Sequence, residues 1–300
     1  MRIVVTGASG FIGKKLSVAL LGRGHEVASL CRNSLEIGHA QLGMYRHIPY
    51  VMGEVLPSEV EAFEPEALVH LAWDGIPDFS EHKCVQNYNS QVSFFRQTHS
   101  LSKLKKVIGS GTCREYGSKQ GVCFENDRIQ PDGYFSWAKQ ALFDYFRISC
   151  QERQIIFVWF RIFYVYGPGQ RNESLIPTLI RSFKSKTLPD IKSPNAANDY
   201  IYIDDVVKAI INAVEKKNRF GVFNLGSGNL TTAAEIARLV EKLLNEGVDY
   251  QPKPFQSIDD DLVRSGMFAD ISLAASQLEW TPQIDIAEGV RKTIDTFIHE

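Results

Sequence analysis

The sequence predicts an α/β fold in which a doubly wound parallel sheet is followed by a smaller C-terminal lobe. Two observations lead to this prediction. An apolar segment, residues 2–6, runs into Gly7, Gly10 and Gly13, which are spaced GxxGxxG at the start of an amphipathic helix. Short apolar segments and helical patterns then alternate, as they do in a parallel sheet that is covered on both faces.

The glycine-rich turn is typical of a dinucleotide-binding Rossmann fold. Gly7 and Gly10 allow the backbone to turn tightly and to approach a pyrophosphate, whose charge is met by the helix N-terminus. Gly13 allows the helix and the strand to pack closely, and Phe11 and Ile12 begin a run with helical spacing that extends to residue 21. These five residues are predicted to hold a cofactor.

The remaining elements follow in order along the chain. Strands are predicted over 26–30, 48–52, 67–71, 106–109 and 155–161, and helices over 57–63, 84–102 and 134–151. Residues 1–165 form the predicted NAD(P)-binding domain, and residues 166–300 form mainly a substrate-binding lobe. Residues 199–226 are expected to return to the main sheet through strands over 199–203 and 222–225, with a helix over 204–215 between them.

Composition excludes several classes of protein. The chain has 300 residues, 44% of them hydrophobic, which is enough for a large core. Its net charge of −2 does not indicate a nucleic-acid-binding protein, which would carry a basic surface. Its five cysteines are odd in number and form no CxxC pair, so neither disulfides nor a metal site are expected. No apolar run reaches the roughly 20 residues of a membrane helix, and a cytoplasmic enzyme is predicted.

Several segments resemble the extended branch of the short-chain dehydrogenase/reductase superfamily, the NAD(P)-dependent epimerase/dehydratase family. The first is TGASGFIG at residues 6–13, and HLAW at 70–73 resembles the segment beside the cofactor. Further matches are RIFYVYGPGQ at 161–170, NDYIYIDDV at 198–206 and FNLGSG at 223–228. The resemblance therefore covers most of the chain.

The end of the second strand predicts which cofactor is used, because a carboxylate there binds the ribose of NAD whereas a cation accommodates the 2′-phosphate of NADP. Here Cys31 stands where NAD-using relatives carry Asp, and Arg32 follows it. NADP(H) is therefore favoured over NAD. The resemblance implies further cofactor contacts at Glu54, Val55, Leu71, Ala72, Trp73, Asn89, Lys139, Ile162 and Val165.

The family's catalytic residues are a Ser or Thr hydroxyl and a YxxxK pair that lies on one face of a helix. In the segment GTCREYG, Thr112 takes the hydroxyl's place. Lys139 matches the lysine, but the residue four positions earlier is Phe135, and the position of Pro131 supports this alignment. Tyr134 is adjacent but lies about 100° away around a helix.

Phe135 leaves several interpretations open. The exchange removes one oxygen and keeps the ring, and the sequence does not tell whether it is native or was made to trap a substrate. If it is native, either Tyr134 rotates into the site or the protein binds without efficient turnover. Restoring tyrosine at position 135 is expected to raise the rate by about 10²–10⁴-fold, the contribution of a positioned acid–base group.

Departures from the family's motifs narrow the substrate chemistry. Tyr164 replaces the usual Asn and Asn198 the usual Arg, which weakens a 4-epimerase assignment, and Cys113 and Arg114 replace the carboxylates of 4,6-dehydratases. The motifs resemble most the nucleotide-sugar 4-ketoreductases, such as the dTDP-6-deoxy-talose dehydrogenases and CDP-abequose synthases. The predicted substrate contacts are Trp73, Thr112, Cys113, Arg114, Tyr164, Arg171, Asn198 and Arg264.

Three functions remain open on the sequence alone. The first is NADPH-dependent reduction of a nucleotide-diphosphate-linked 4-keto-6-deoxyhexose for surface polysaccharides such as O-antigen. The others are 4-epimerisation of a nucleotide sugar and cofactor binding with impaired catalysis. The resemblance also implies a homodimer formed by the helices near 84–102 and 134–151.

Overall fold

The computed structural model describes residues 1–216, 220–245 and 265–299. Its strands are β1 Arg2–Thr6, β2 Glu26–Cys31, β3 Tyr45–Pro49, β4 Ala67–His70, β5 Lys106–Thr112, β6 Gly121–Cys123, β7 Ile156–Ile162, β8 Tyr164–Tyr166, β9 Ala197–Tyr202, β10 Gly221–Leu225, β11 Leu230–Thr232 and β12 Met267–Ala269. Its α-helices are α1 Phe11–Gly22, α2 Ser58–Ala62, α3 Glu81–Gln97, α4 Tyr134–Glu152, α5 Leu175–Lys184, α6 Ile203–Glu215, α7 Ala233–Leu244, α8 Ser272–Leu278 and α9 Ile286–His299.

The central sheet has seven parallel strands in the order β10-β7-β5-β4-β1-β2-β3. The chain adds strands on one side of β1 and then crosses to the other side with β4. In doubly wound sheets of this kind a crevice opens at the carboxyl ends of the two strands where the order reverses. The predicted Rossmann-type α/β fold is confirmed, and its crevice lies beyond Thr6 of β1 and His70 of β4.

Helices cover both faces of this sheet. Ile3 and Val5 belong to a core shared with α1 and α6, whereas Val4 belongs to a second core shared with α3 and α4. This alternation follows from the period of two along a strand, and burial on both faces explains the continuous apolar runs of the main strands. Within the described residues, no helix is both long and apolar enough to cross a membrane.

Two of the predicted strands differ from those observed. The third strand was expected over 48–52 but occupies Tyr45–Pro49, so residues 50–52 follow it as a loop. The segment predicted at 199–203 does not return to the main sheet: β9 pairs with β8 and β11 in a separate three-stranded sheet. Only one face of β9 is fully buried, through Ala197, Asp199 and Ile201, which is the pattern of a strand outside a two-sided sheet. By contrast, β10 joins the main sheet beside β7.

Candidate active site

The glycine-rich turn lies in the crevice and leaves no room for side chains. Gly7 has a positive φ of 66°, and a Cβ added there would stand 2.8 Å from the backbone nitrogen of Ala72. At Gly13 an added Cβ would stand 2.2 Å from the carbonyl oxygen of Gly7. The turn is thus pressed between the start of α1 and the segment that follows β4, as close approach to a pyrophosphate requires.

The first turn of α1 is suited to an anion. Gly10 is the N-cap residue and offers no side-chain hydrogen bond, and no acidic residue lies in the first turn. The backbone N–H groups at this end of the helix are therefore available to a phosphate, and the helix dipole favours negative charge there. These features fit the pyrophosphate of a dinucleotide.

A cavity of about 290 Å³ adjoins this turn. Of the predicted cofactor residues, it is lined by Gly7, Gly10, Arg32, Leu71, Ala72 and Trp73. Phe11, Ile12 and Gly13 form the first turn of α1 and do not line the cavity. The buried indole N–H of Trp73 has no hydrogen-bond partner among the described residues, so the cavity holds a free donor as well as the glycine turn.

Three of the predicted cofactor contacts are exposed side chains that lie outside this cavity. Glu54 and Val55 are exposed, Val55 by 85%, because β3 ends early and the loop at 50–52 lines the cavity instead. Asn89 is also exposed, and Asn87 lines the cavity in its place. Two residues of helix rotate a side chain by about 200°, so the two asparagines of α3 point in different directions.

Asn87 fixes the segment that follows β4. Its side-chain oxygen accepts a hydrogen bond from the Asp74 backbone nitrogen at 2.8 Å, and its amide nitrogen donates to the Asp74 carbonyl oxygen at 2.9 Å. Sequence reasoning missed Asn87 and also Asp74. The NYN sequence at 87–89 was the available signal, but choosing between its asparagines required the helix orientation.

Charged side chains meet at the outer end of the cofactor cavity. Arg32 follows β2 as expected, and its Nη2 atom lies 3.8 Å from Oδ1 of Asp74. Asp74 also pairs with Lys83 of α3, and this hydrogen bond holds the pKa of the Asp74 carboxyl below its usual value. Arg32 remains 73% exposed, so its guanidinium is accessible to a ligand.

Lys139 of α4 is buried beside the same cavity. Its Nζ donates a hydrogen bond to the Ser110 carbonyl oxygen at 2.9 Å and lies 4.6 Å from the centre of the Trp73 ring. Burial lowers the pKa of Lys139 to about 8. The ammonium group is therefore held in a defined place between β5 and the cofactor cavity.

Phe135 lies one helical turn before Lys139, and the two residues share a face of α4. Its ring centre is 6.0 Å from Lys139 Nζ and packs edge-on against Trp73, with centroids 5.0 Å apart. On its other side it contacts the Phe79 ring at 4.6 Å. The position that the YxxxK motif assigns to a phenol is thus filled by an apolar ring.

Tyr134 does not take over this position. It is 49% exposed, and a hydrogen bond to the Glu81 carboxylate raises the pKa of its phenol. Its hydroxyl is thus directed to the start of α3, although its side chain reaches the rim of the neighbouring cavity. The interpretation in which Tyr134 rotates into the site is not the arrangement observed.

A second cavity, of about 460 Å³, adjoins the first where Trp73 meets Phe135. Of the predicted site residues, its lining includes Thr112, Cys113, Arg114, Tyr134, Phe135, Ile162 and Tyr164. Ile162 was expected at the cofactor but lies here, because β7 ends beside β5 at Thr112. The structure therefore brings three of the predicted catalytic residues, Thr112, Tyr134 and Phe135, to one cavity.

Other predicted residues lie apart from both cavities. Val165 packs against the main core, and its carbonyl oxygen accepts a hydrogen bond from Gln170. Arg171 is exposed, and the side chain of Asn198 donates to the Tyr200 hydroxyl at 3.4 Å. Arg264 lies outside the described residues. The contacts proposed for these residues from the motifs stay predictions.

A buried ion pair, which sequence reasoning missed, supports the Thr112 loop. Glu115 accepts a hydrogen bond from the Thr112 backbone nitrogen at 2.9 Å, and its other carboxylate oxygen accepts one from Arg161 Nε at 2.9 Å. Both side chains are almost fully buried, and the Trp159 indole N–H also donates to Glu115. A charged pair inside the core is retained only when its hydrogen bonds are satisfied, as they are here.

The geometry can be compared with known proteins. Residues 3–226 match the family model described as NAD dependent epimerase/dehydratase family. The chain belongs to this family. It is an enzyme of the extended short-chain dehydrogenase/reductase type, whose members modify nucleotide sugars.

Individual relatives are distant but cover the whole chain. The dTDP-4-dehydro-6-deoxyglucose reductase of Escherichia coli is 25% identical over 97% of this chain and 96% of its own length. Among solved structures, UDP-glucose 4-epimerase of Thermotoga maritima with UDP-glucose has a TM-score of 0.82 at 24% identity, covering 100% of this chain and 99% of its own. UDP-glucuronic acid 4-epimerase of Bacillus cereus, with UDP-glucuronic acid and NAD, has a TM-score of 0.81 at 23% identity and the same coverage. At this identity the structural matches show the fold alone.

Proposed function

We propose that this enzyme reduces the keto group of a nucleotide-diphosphate-linked 4-keto-6-deoxyhexose with NADPH, a step in making sugars for surface polysaccharides. The observation that carries the proposal is the cation Arg32 at the end of β2, where NAD-using relatives have a carboxylate. The similarity to a curated reductase of a dTDP-linked 4-keto sugar supports it along the whole chain.

Preference for NADPH rests on the surroundings of Arg32. Its guanidinium is mostly exposed at the rim of the cofactor cavity, and its contact with Asp74 is a loose one at 3.8 Å. A 2′-phosphate offers two oxygens to the planar guanidinium, which binds such groups in a bidentate manner. A phosphate would therefore replace Asp74 as the partner of Arg32.

Three parts of the site have a role in the proposed reaction: Lys139, the glycine turn and Thr112. In this proposal Lys139, whose Nζ donates to the Ser110 carbonyl oxygen, binds the nicotinamide ribose, and the glycine turn binds the pyrophosphate. Thr112, which lines the second cavity, holds the sugar's keto oxygen. When bound, the cofactor supplies a hydride to the sugar carbon, and the protein must supply a proton to the oxygen.

A second candidate function is cofactor and sugar binding with impaired catalysis. Phe135 favours this function, because the phenyl ring beside Lys139 has no hydroxyl group that could donate a proton. A 4-epimerase is a third candidate, which the similarity to a curated UDP-glucose 4-epimerase, 25% identical over 99% of this chain, supports. The three differ in consumption of the cofactor: only the reductase uses NADPH in proportion to the substrate.

The deciding experiment measures NADPH oxidation with dTDP- or CDP-4-keto-6-deoxyglucose for this chain and for its Phe135→Tyr variant. We expect turnover by the variant, because a tyrosine at position 135 would complete the family's predicted set of Thr112, tyrosine and Lys139. Silence from both chains, with sugar nucleotide bound in calorimetry, would refute the reductase. Interconversion of 4-epimers without net NADPH loss would identify an epimerase.

The assembly is proposed to be a homodimer formed through α3 and α4. Trp137 and Ile148 of α4 are 43% and 48% exposed, and Tyr88 of α3 packs beside Trp137. Large exposed apolar residues on two adjacent helices are a typical subunit interface. Light scattering coupled to gel filtration measures the molecular mass directly, and a monomeric mass would overturn this assignment.

A further inference from the structure

Two departures from the family's motifs meet in the second cavity. Position 135 has lost the hydroxyl that a tyrosine would carry, and position 164 has gained one, since Tyr164 stands where relatives have Asn. Phe135, Tyr164 and Thr112 all line the same cavity, although they come from three different segments of the chain. A hydroxyl absent from one wall is thus present on another.

Contacts on several sides fix the orientation of Tyr164. The Arg114 guanidinium lies close enough to the Tyr164 hydroxyl to lower the pKa of the phenol, and its Nη2 atom also lies 3.5 Å from Oδ2 of Asp132. The Tyr164 ring packs against that of Tyr200 with centroids 5.8 Å apart. Arg114 in turn comes directly from the Thr112 loop, and its backbone nitrogen donates to the Thr112 hydroxyl at 3.3 Å.

We propose that Tyr164, which lines the second cavity together with Arg114, donates the proton to the sugar's keto oxygen, in the role that Phe135 cannot fill. This inference rests on the reductase function proposed above. The Tyr164 O–H bond breaks and an O–H bond forms on the sugar oxygen as the carbonyl carbon receives hydride from the reduced nicotinamide. The electron pair remains on the phenolate, which Arg114 stabilises until solvent returns a proton.

The other proton-bearing groups of this cavity are less suited to the task. The Glu81 carboxylate raises the pKa of the Tyr134 phenol, and the Ser136 hydroxyl donates a hydrogen bond to the Gly133 carbonyl oxygen at 3.0 Å. Burial raises the pKa of the Cys113 thiol to about 12, and a thiol is a poor partner for a keto oxygen. Tyr164 alone among the described lining residues combines a phenol with an adjacent cation.

The charges that face Tyr164 are compatible with a proton donor. Burial raises the pKa of its phenol, while the Arg114 guanidinium lowers it and Asp132 and Cys113 oppose that cation. The phenol therefore stays protonated at neutral pH, as a reduction requires. The same cation stabilises the phenolate once the proton has left, as the lysine stabilises the tyrosine phenolate in a YxxxK pair.

The test combines steady-state NADPH oxidation with calorimetric binding of dTDP-4-keto-6-deoxyglucose, for wild type, Tyr164→Phe, Tyr134→Phe, Phe135→Tyr and the Tyr164→Phe/Phe135→Tyr double variant. Tyr145→Phe, which makes the same change on α4 away from both cavities, serves as the matched control. We expect Tyr164→Phe to lower kcat by about 10²-fold or more, the contribution of a positioned acid. Its dissociation constant for the sugar nucleotide should change less than about threefold, because one hydroxyl is lost and the ring remains.

Phe135→Tyr should rescue the Tyr164→Phe variant by a factor of similar size, yet raise the wild-type rate much less, because the wild type already has its donor. Equal gains in the two backgrounds would overturn the proposal, since independent sites add. It is also overturned if Tyr164→Phe keeps its rate, if Tyr134→Phe loses it instead, or if the wild type is inactive while Phe135→Tyr is active. Inactivity of all variants, with the sugar nucleotide bound, overturns the reductase function and this inference with it.

Discussion

Gly13 provides a sharp test of how the cofactor turn is built. Alanine at this position places a Cβ 2.2 Å from the Gly7 carbonyl oxygen and 2.8 Å from the Ala8 Cα atom. Both neighbours are backbone atoms, so relief requires the turn itself to move. Overpacking of this kind costs about 1–3 kcal/mol. The expected result is a less stable protein with a displaced phosphate-binding turn.

Gly22 of the same helix provides the control, because an added Cβ there meets only the end of the Gln41 side chain, at 3.7 Å. Alanine gains about 1 kcal/mol over glycine in a helix. To a first approximation this gain is common to both variants, so the difference between Gly13→Ala and Gly22→Ala measures the clash, at about 1–3 kcal/mol.

Urea unfolding of the two variants measures the difference in stability, and titration with NADPH, followed by tryptophan fluorescence, measures the effect on the cofactor site. We expect Gly13→Ala to bind NADPH more weakly, by about tenfold for each 1.4 kcal/mol of lost binding free energy. Two variants of equal stability and equal NADPH affinity would contradict the close packing of α1 against the turn at Gly13.

Three further changes test the charged groups. Arg32→Ala should weaken NADPH binding by about 1.5–3 kcal/mol, the value of a hydrogen bond to a charged group, and leave NADH binding unchanged; equal losses in fluorescence titrations would contradict a 2′-phosphate role. Burial lowers the pKa of Lys139 to about 8, whereas lysine in an unfolded chain titrates near 10.5. The unfolded chain therefore binds more protons between these pH values, and stability should rise with pH from about 8 to 10.5. Urea unfolding should show that Lys139→Met loses about 3 kcal/mol of this rise relative to wild type, and identical pH profiles would refute the assignment. Arg161→Met leaves the buried Glu115 carboxylate unpaired and should cost about 3–5 kcal/mol, with partial recovery on adding Glu115→Gln; no recovery in urea unfolding would show that the pair is not coupled.

Much of the fold could be predicted because it depends on short-range patterns. The GxxGxxG spacing specifies a turn that only glycine fits, and apolar runs buried on both faces alternate with amphipathic helices along the first half of the chain. The YxxxK spacing likewise places Phe135 and Lys139 on one face of α4, since one helical turn separates them. Predicted bounds of β2, β4, β5 and β7 differ from the observed ones by three residues or fewer.

Contacts across the chain were decided only by the tertiary structure. The sheet that β9 joins, the asparagine of α3 that reaches the cavity and the pairing of Glu115 with Arg161 all depend on how distant segments align. Tyr164 comes to the same cavity as Phe135 because β7 ends and β8 begins beside the loop after β5, whereas nothing in the spacing of the two residues indicates it. The sequence by itself determined the cofactor turn, the alternating elements and the missing phenol, since each is encoded within a few residues. The assembly of the substrate cavity was left to long-range packing, which no local period encodes.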